Sequence, residues 1–219
     1  MIDFHTHTFA SDGVLVPSEL IRRAVAAGYR AIGLTDHGDE SNLQDLVARA
    51  VRAAEAWAGQ DRILVIPGIE ITHVPPERIP VVARYARDQG ARLVIVHGET
   101  VTEPVAPGTN AAAVRCLDVD ILAHPGLLSR EDAAAAAESG VLLEITARRG
   151  HSAGNGRVAR VAGENGASLV INTDAHEPKD LISRDHARVI LAAAGLEEDG
   201  IQGAFANAEK LLRKVTGNG

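Results

Sequence analysis

Ala31-Ile32-Gly33-Leu34-Thr35-Asp36-His37 is a short apolar run that ends directly in a carboxylate and an imidazole. The same arrangement recurs along the chain. Ile2-Asp3-Phe4 leads into His5-Thr6-His7, Ile63–Ile66 into Glu70, and Leu93–Val96 into His97. Asp120–Ala123 leads into His124, and Leu169–Ile171 into Asp174 and His176. A seventh run, Val141–Ile145, carries Glu144 inside it. Continuous rather than alternating apolar runs mark strands buried on both faces, as in parallel sheets covered by helices. Helix-like stretches lie between them: Pro17–Ala27, Leu43–Ala58, Ile79–Gln89, Asn110–Cys116, Arg130–Ser139 and Gly156–Asn165. Five of these six, all but Asn110–Cys116, run into Gly28, Gly59, Gly90, Gly140 or Gly166, where glycine supplies a left-handed cap. Two more, about Arg184–Ala194 and Gly200–Val215, close the chain. Ser41 with Gln44 reads as a capping box, and Ser129 as the cap of the helix that opens with Glu131 and Asp132.

Strict strand–helix alternation predicts an α/β fold with a parallel sheet. An eight-unit barrel takes about 250 residues, roughly 31 per unit, so seven units fit this length. An open doubly wound sheet is the competing architecture, but its ligands gather at one topological switch point. Here nearly every strand end offers a metal ligand, which favours the mouth of a barrel.

The 219 residues are 46% hydrophobic but only 3% aromatic, so Ala, Val, Leu and Ile must fill the core. The length suits a single domain over residues 1–219. A net charge of −7 argues against a nucleic-acid footprint, which normally shows as clustered Lys and Arg. No stable nucleic-acid binding is expected. The start lacks a secretory pattern, and no apolar run nears the ~18 residues of a membrane span. One cysteine, Cys116, excludes an intramolecular disulfide and fits a reducing compartment, so a cytoplasmic location with no membrane contact is expected. Cys116 reads as a small buried hydrophobe.

His5 and His7 sit two apart on an extended segment, so both face one side, as do Asp174 and His176. Glu144 inside an apolar run reads either as a buried, satisfied carboxylate or as a partner that supports the ligands, the second reading being preferred. Mixed imidazole and carboxylate donors suit Zn, Mn or Fe better than Ca or Mg. Several such cations generate a hydroxide at neutral pH and stabilise entering and leaving oxygens. Ala147-Arg148-Arg149-Gly150-His151 follows the sixth strand. Its Arg148, Arg149 and His151 are the candidate phosphate clamp, since guanidinium matches phosphate oxygens bidentately. His73, three residues past Glu70, is a weaker pocket candidate, and His186 reads as structural or exposed.

The ordered set of His5-Thr6-His7-Thr8, Ser11-Asp12-Gly13, Thr35-Asp36-His37, Gly68-Ile69-Glu70, His97, His124-Pro125-Gly126 and Thr173-Asp174-Ala175-His176 resembles the polymerase and histidinol phosphatase (PHP) domain family. The resemblance implies a distorted seven-stranded (β/α)7 TIM-like barrel and a metal-dependent phosphoesterase with two or three divalent ions. It places His5, His7, Asp12, His37, Glu70, His97, His124, Asp174 and His176 at ligand positions. Glu70 bridges, and Asp12, Glu70, His97, Asp174 and His176 take catalytic parts. Some histidinol-phosphatase relatives carry histidine in the first loop. The Asp12 form here resembles the nucleotide phosphatase and exonuclease branch. A small phosphomonoester, such as histidinol phosphate, a sugar phosphate or a mononucleotide, is the expected substrate. Phosphodiester cleavage of short oligonucleotides and a non-catalytic scaffold are the alternatives. The loops Thr100–Thr109 and Gly150–Arg157 are expected to meet the organic part of the substrate, the first as a candidate lid. Oligomeric state is not legible.

Overall fold

The computed structural model describes residues 1–60 and 63–217. Its strands are β1 (Ile2–Asp3), β2 (Ala31–Leu34), β3 (His37–Gly38), β4 (Leu64–Ile71), β5 (Leu93–His97), β6 (Ile121–Ala123), β7 (Leu142–Thr146) and β8 (Leu169–Asn172). The helices are α1 (Pro17–Ala26), α2 (Leu43–Trp57), α3 (Ile79–Asp88), α4 (Thr109–Val114), α5 (Arg130–Ser139), α6 (Asn155–Asn165), α7 (Arg184–Ala193) and α8 (Glu198–Thr216). All strands pair in parallel in the order β1-β2-β4-β5-β6-β7-β8. The short β3 continues β2. Leu34 faces Pro67 and His37 faces Glu70, the same register interrupted at Thr35-Asp36. Seven strand positions thus form the wall, each followed by a helix, as expected.

The barrel is closed unevenly. Past the ends of β1 and β8 the seam is closed by an isolated bridge, Thr6 with Ala175, and a ladder-like bond from His7 N to Ala175 O at 2.8 Å. Below it side chains replace the ladder: Phe4 N donates to Asn172 Oδ1 at 2.9 Å, and Thr173 N to Asp3 Oδ1 at 3.2 Å. These side-chain bonds span the seam where the backbone ladder is missing.

Residues alternate between two cores, as period-two strands require. Ile32, Leu34, Ile69, Val94, Val96, Leu122, Leu143 and Ile171 pack outward against the helices. Ile2, Phe4, Ala31, Ile66, Leu93, Ile95, Ile121, Leu142 and Val170 fill the interior. Gly33 also faces inward, where a Cβ would lie 2.4 Å from the backbone carbonyl oxygen of Phe4, so only glycine lets the two backbones approach so closely. Ala208, Leu211, Leu212 and Val215 of α8 join the interior cluster. Lys214 reaches Asp120 just before β6, so α8 covers the end of the barrel where strands begin. Chemistry is left to the other end.

The anticipated capping box at Ser41 does not form. Asn42 occupies the cap of α2, and Ser41 sends both its N–H and hydroxyl to Asp39 Oδ1, at 2.7 and 2.6 Å. An ionised acceptor two residues upstream outcompetes the helix end. Gln44 instead accepts from Tyr85. Ser129 does cap α5, accepting from Asp132 N at 3.0 Å, and Gly140 ends it at φ 81°. A capping box occurs at Glu177 and Asp180, around a single 3-10 turn. Cys116 is buried. Among the described residues no helix is long and apolar enough to cross a membrane.

Candidate metal centre

Alternation aims the polar strand residues into the mouth. Glu70 continues the inward row of Ile66 and Gly68, His97 that of Leu93 and Ile95, Glu144 that of Leu142, and Asn172 that of Val170. All four are buried. The chain past β1 brings His5 and His7 to the same mouth, the β2–β3 junction brings His37, and the turns after β6 and β8 bring His124, Asp174 and His176. His124 and Asp174 hold positive φ, 28° and 53°, a conformation that side chains adopt only when surroundings impose it.

Three groups of donors meet there around one carboxylate. His5 Nε2 lies 3.1 Å from Glu70 Oε2, His7 Nε2 lies 3.1 Å from Asp174 Oδ1 and 3.4 Å from Glu70 Oε2, and His5 Nε2 is 3.7 Å from Asp174 Oδ1. Asp12 meets His176 Nε2 at 3.1 Å and His37 Nε2 at 3.6 Å, while the His7 ring stacks 4.1 Å from that of His176. His97, His124 and His151 form the third group, the His124 ring 4.5 Å from His97 and 4.3 Å from His151. Glu70 touches all three sides. Its Oε2 faces His5, His7 and His37, and its Oε1 lies 3.6 Å from His124 Nε2.

His5 Nε2, both ring nitrogens of His7, both oxygens of Glu70 and Asp174 Oδ1 are buried without a hydrogen-bond partner among the described residues. Buried polar atoms are rarely left so. Donors on a tetrahedral ion with bonds of about 2.0–2.2 Å stand roughly 3.3–3.6 Å apart. The spacings above bracket that value, so the donor set fits divalent cations.

Electrostatics point the same way. Burial alone would push the Glu70 carboxyl up, but the imidazoles of His5 and His37 outweigh it and hold it well below the usual range. Asp174 is likewise lowered, against burial, chiefly by His5 and His7. Burial disfavours charge on His5, yet Glu70, Glu144 and Asp174 raise it well above an ordinary histidine. Burial and His37 lower His7, whereas Glu70 lifts His37 to about 9 against its own burial. The carboxylates are thus held ionised in a dry site, ready to meet positive charge.

Around the donors lies a layer that orients them. His5 Nδ1 sits 2.9 Å from Glu144 Oε2, which also accepts from Asn172 Nδ2 at 2.9 Å. Asp36 accepts from Thr8 N, Thr8 Oγ1 and Ser11 Oγ, each at 2.7 Å, and so fixes the loop that carries Asp12. Asp3, pushed up to about 6 by burial, accepts from His5 N and from Thr173, tying the first and last strand ends together. Asp180 accepts from His176 N at 3.0 Å.

The sequence-predicted residues therefore separate. His5, His7, Asp12, His37, Glu70, His97, His124, Asp174 and His176 come together. His151 joins them, stacked on His124, rather than standing with the arginines. Arg148 and Arg149 line a neighbouring cavity of about 540 Å³ with Thr173, Lys179, Asp180 and His186. None of the nine donors lines it, although Thr173 adjoins Asp174, and Arg148 Nη1 is engaged by Asp180 at 3.2 Å. Sequence reasoning missed Glu103, which faces His73, His97 and His151 from the loop after β5. It also missed Asp3 and Asn172, whose signal was a polar residue inside an apolar strand.

Comparison with known proteins agrees with this architecture. The PHP domain model matches residues 3–138. An uncharacterized protein of Methanocaldococcus jannaschii is 47% identical over 216 residues, covering 97% of this chain and 98% of that one. A probable phosphatase of Shewanella sp. strain ANA-3 is 30% identical over 90% of this chain and 85% of its own. In fold, the chain is similar to histidinol phosphate phosphatase of Lactococcus lactis, complexed with zinc, L-histidinol and phosphate. The TM-score is 0.65 at 15% identity, covering 90% of this chain and 94% of that one. With the family model spanning more than half of its residues, the chain belongs to the PHP domain family.

Proposed function

We propose that the protein is a metal-dependent phosphatase that hydrolyses a small phosphomonoester at the mouth of the barrel. One observation carries this reading: imidazoles and carboxylates from six strand ends converge around Glu70 with buried, unpartnered donor atoms at ligand spacing. His5, His7 and Asp174 would hold one ion, Asp12, His37 and His176 a second, and His97 with His124 a third, with Glu70 between them. Bound there, divalent cations polarise a phosphoryl group and lower the pKa of a coordinated water from 15.7 to about 7.

The chain's own residues do the rest. Glu144 and Asp36 keep His5 and the Asp12 loop in place, so the donors need not reorganise as charge develops at phosphorus. Arg149, in the cavity beside Thr173, supplies positive charge for oxygens of the substrate, and Arg148 and Lys179 do so when they leave Asp180 and Glu177. The probable phosphatase relative and the phosphate complex of the structural neighbour support this chemistry. The test is phosphate release by protein loaded with Mn or Zn, screened over sugar phosphates, histidinol phosphate, mononucleotides and short oligonucleotides. Release from a phosphomonoester that disappears in Asp174→Asn is expected. Turnover of oligonucleotides alone, or unchanged turnover by a folded Asp174→Asn variant, rejects the proposal.

A further inference from the structure

The loop after β5 brings a carboxylate to the centre that no strand end supplies. Glu103 Oε2 lies 3.2 Å from His97 Nε2 and 3.3 Å from His73 Nε2, and Glu103 Oε1 lies 3.4 Å from His151 Nε2. The loop is fastened where it stands. Glu99 Oε1 accepts from Gly108 N at 3.0 Å and Asn110 N at 2.9 Å, gathering its base. Thr100 Oγ1 and Thr102 Oγ1 lie 2.6 and 3.0 Å from His151 Nδ1. With Nδ1 turned to these hydroxyls, His151 presents Nε2 to Glu103. His73 is aimed by a strained backbone at φ 54°. Among described non-glycine residues only His124 and Asp174 share a positive φ, and both stand in the donor set.

His97 decides how many ions this cluster takes. Its Nδ1 lies 3.2 Å from Gly98 O, which leaves Nε2 as the one nitrogen free for a metal. A ring nitrogen has a single lone pair and binds one ion. Yet His97 belongs to two donor groups, one with His124 and His151 and one with His73 and Glu103. The two groups therefore describe one seat.

We propose that Glu103 is a loop-borne ligand of the ion held by His97 and His124, with His151 and His73 beside it, so that this ion latches the 98–108 loop over the centre. The inference rests on the metal-centre reading above and adds to it a ligand that leaves and returns with a loop. A carboxylate on such a loop yields its place to a phosphate oxygen more readily than an imidazole fixed at a strand end. Substrate entry and loop opening are then one event.

The experiment titrates the metal-free full chain with Mn, comparing wild type with Glu103→Gln, an exposed and near-isosteric change. Expected are affinity for one ion weakened at least tenfold, the other ions unaffected, and Mn-dependent slowing of amide exchange across residues 99–106 in wild type only. Anomalous scattering at the Mn edge should place an ion against Glu103 in wild-type crystals. Equal affinities for every ion together with equal loop protection in the two proteins overturn the proposal. If that occurs while phosphate is still released, the phosphatase reading stands without the latch. If Glu103→Gln loses its ion but the loaded wild type cleaves no phosphomonoester, the latch stands and the phosphatase reading falls.

Discussion

Glu144 is buried on β7 with one oxygen shared by His5 Nδ1 and Asn172 Nδ2. An anionic acceptor behind a ligating imidazole fixes its tautomer and raises its basicity, and losing it typically costs 10–100-fold in metal affinity. Glu144→Gln keeps the shape and removes the charge, so metal affinity should fall by about 10–100-fold with the fold intact. Competition against a chelator measures it, and an unchanged affinity would remove Glu144 from the centre. The sequence already showed Glu144 as a carboxylate inside an apolar run. What it did not show was the partner, because His5 lies 139 residues away and meets it only when the barrel closes, with β8 alone between β7 and β1. Glu103 is the opposite case. It sits among Thr, Val and Pro in a loop, where no periodicity marks which way a side chain turns.

At the level of elements, apolar runs located all seven strand positions, and β4 alone ran much further than its run, to Ile71. Pro67 and Gly68 interrupt that apolar run, yet Gly68 pairs with Leu93 and continues the strand. A Cβ on Gly68 would stand 2.8 Å from Leu93 O, so the residue marks a close approach rather than a bend. Helix ends were legible where the local chemistry had no rival. Ser129 caps α5, and Ser129→Ala should lower stability by about 1 kcal/mol, within a range of roughly 0.5–2. Ser41 is exposed and bound to Asp39 instead, so Ser41→Ala should change stability by no more than about 0.5 kcal/mol. Urea unfolding of both variants separates the two. Equal losses would mean that Ser41 does serve α2.

Over the whole molecule the mouth is built at a cost to stability. Most of its donors are buried, several are left without hydrogen-bond partners among the described residues, and two carboxylates stand within reach of the same imidazoles. Cations that bind the folded chain and not the unfolded one add RT ln(1 + [L]/Kd), about 2.7 kcal/mol for each site at a hundredfold excess over Kd. Stripping the metal with a chelator should therefore lower the Tm, and returning Mn or Zn should restore it in proportion to log concentration. Scanning calorimetry at several metal concentrations checks this, and a Tm indifferent to both treatments would deny a metal centre. The opposite end of the barrel is plugged by Leu211, Leu212 and Val215 of α8.

By itself the sequence determined the strand–helix alternation, the parallel barrel and the donor types at each strand end. These are local properties, set by burial on both faces and by period-two geometry. Only the tertiary structure decided which donors stand together, that Asp3 and Asn172 stitch the seam, that His151 leaves Arg148 and Arg149 for the imidazole cluster, and that Glu103 reaches it. Those outcomes depend on contacts between segments far apart in the chain. Their distances are fixed by how seven strands close, which no single stretch of residues encodes.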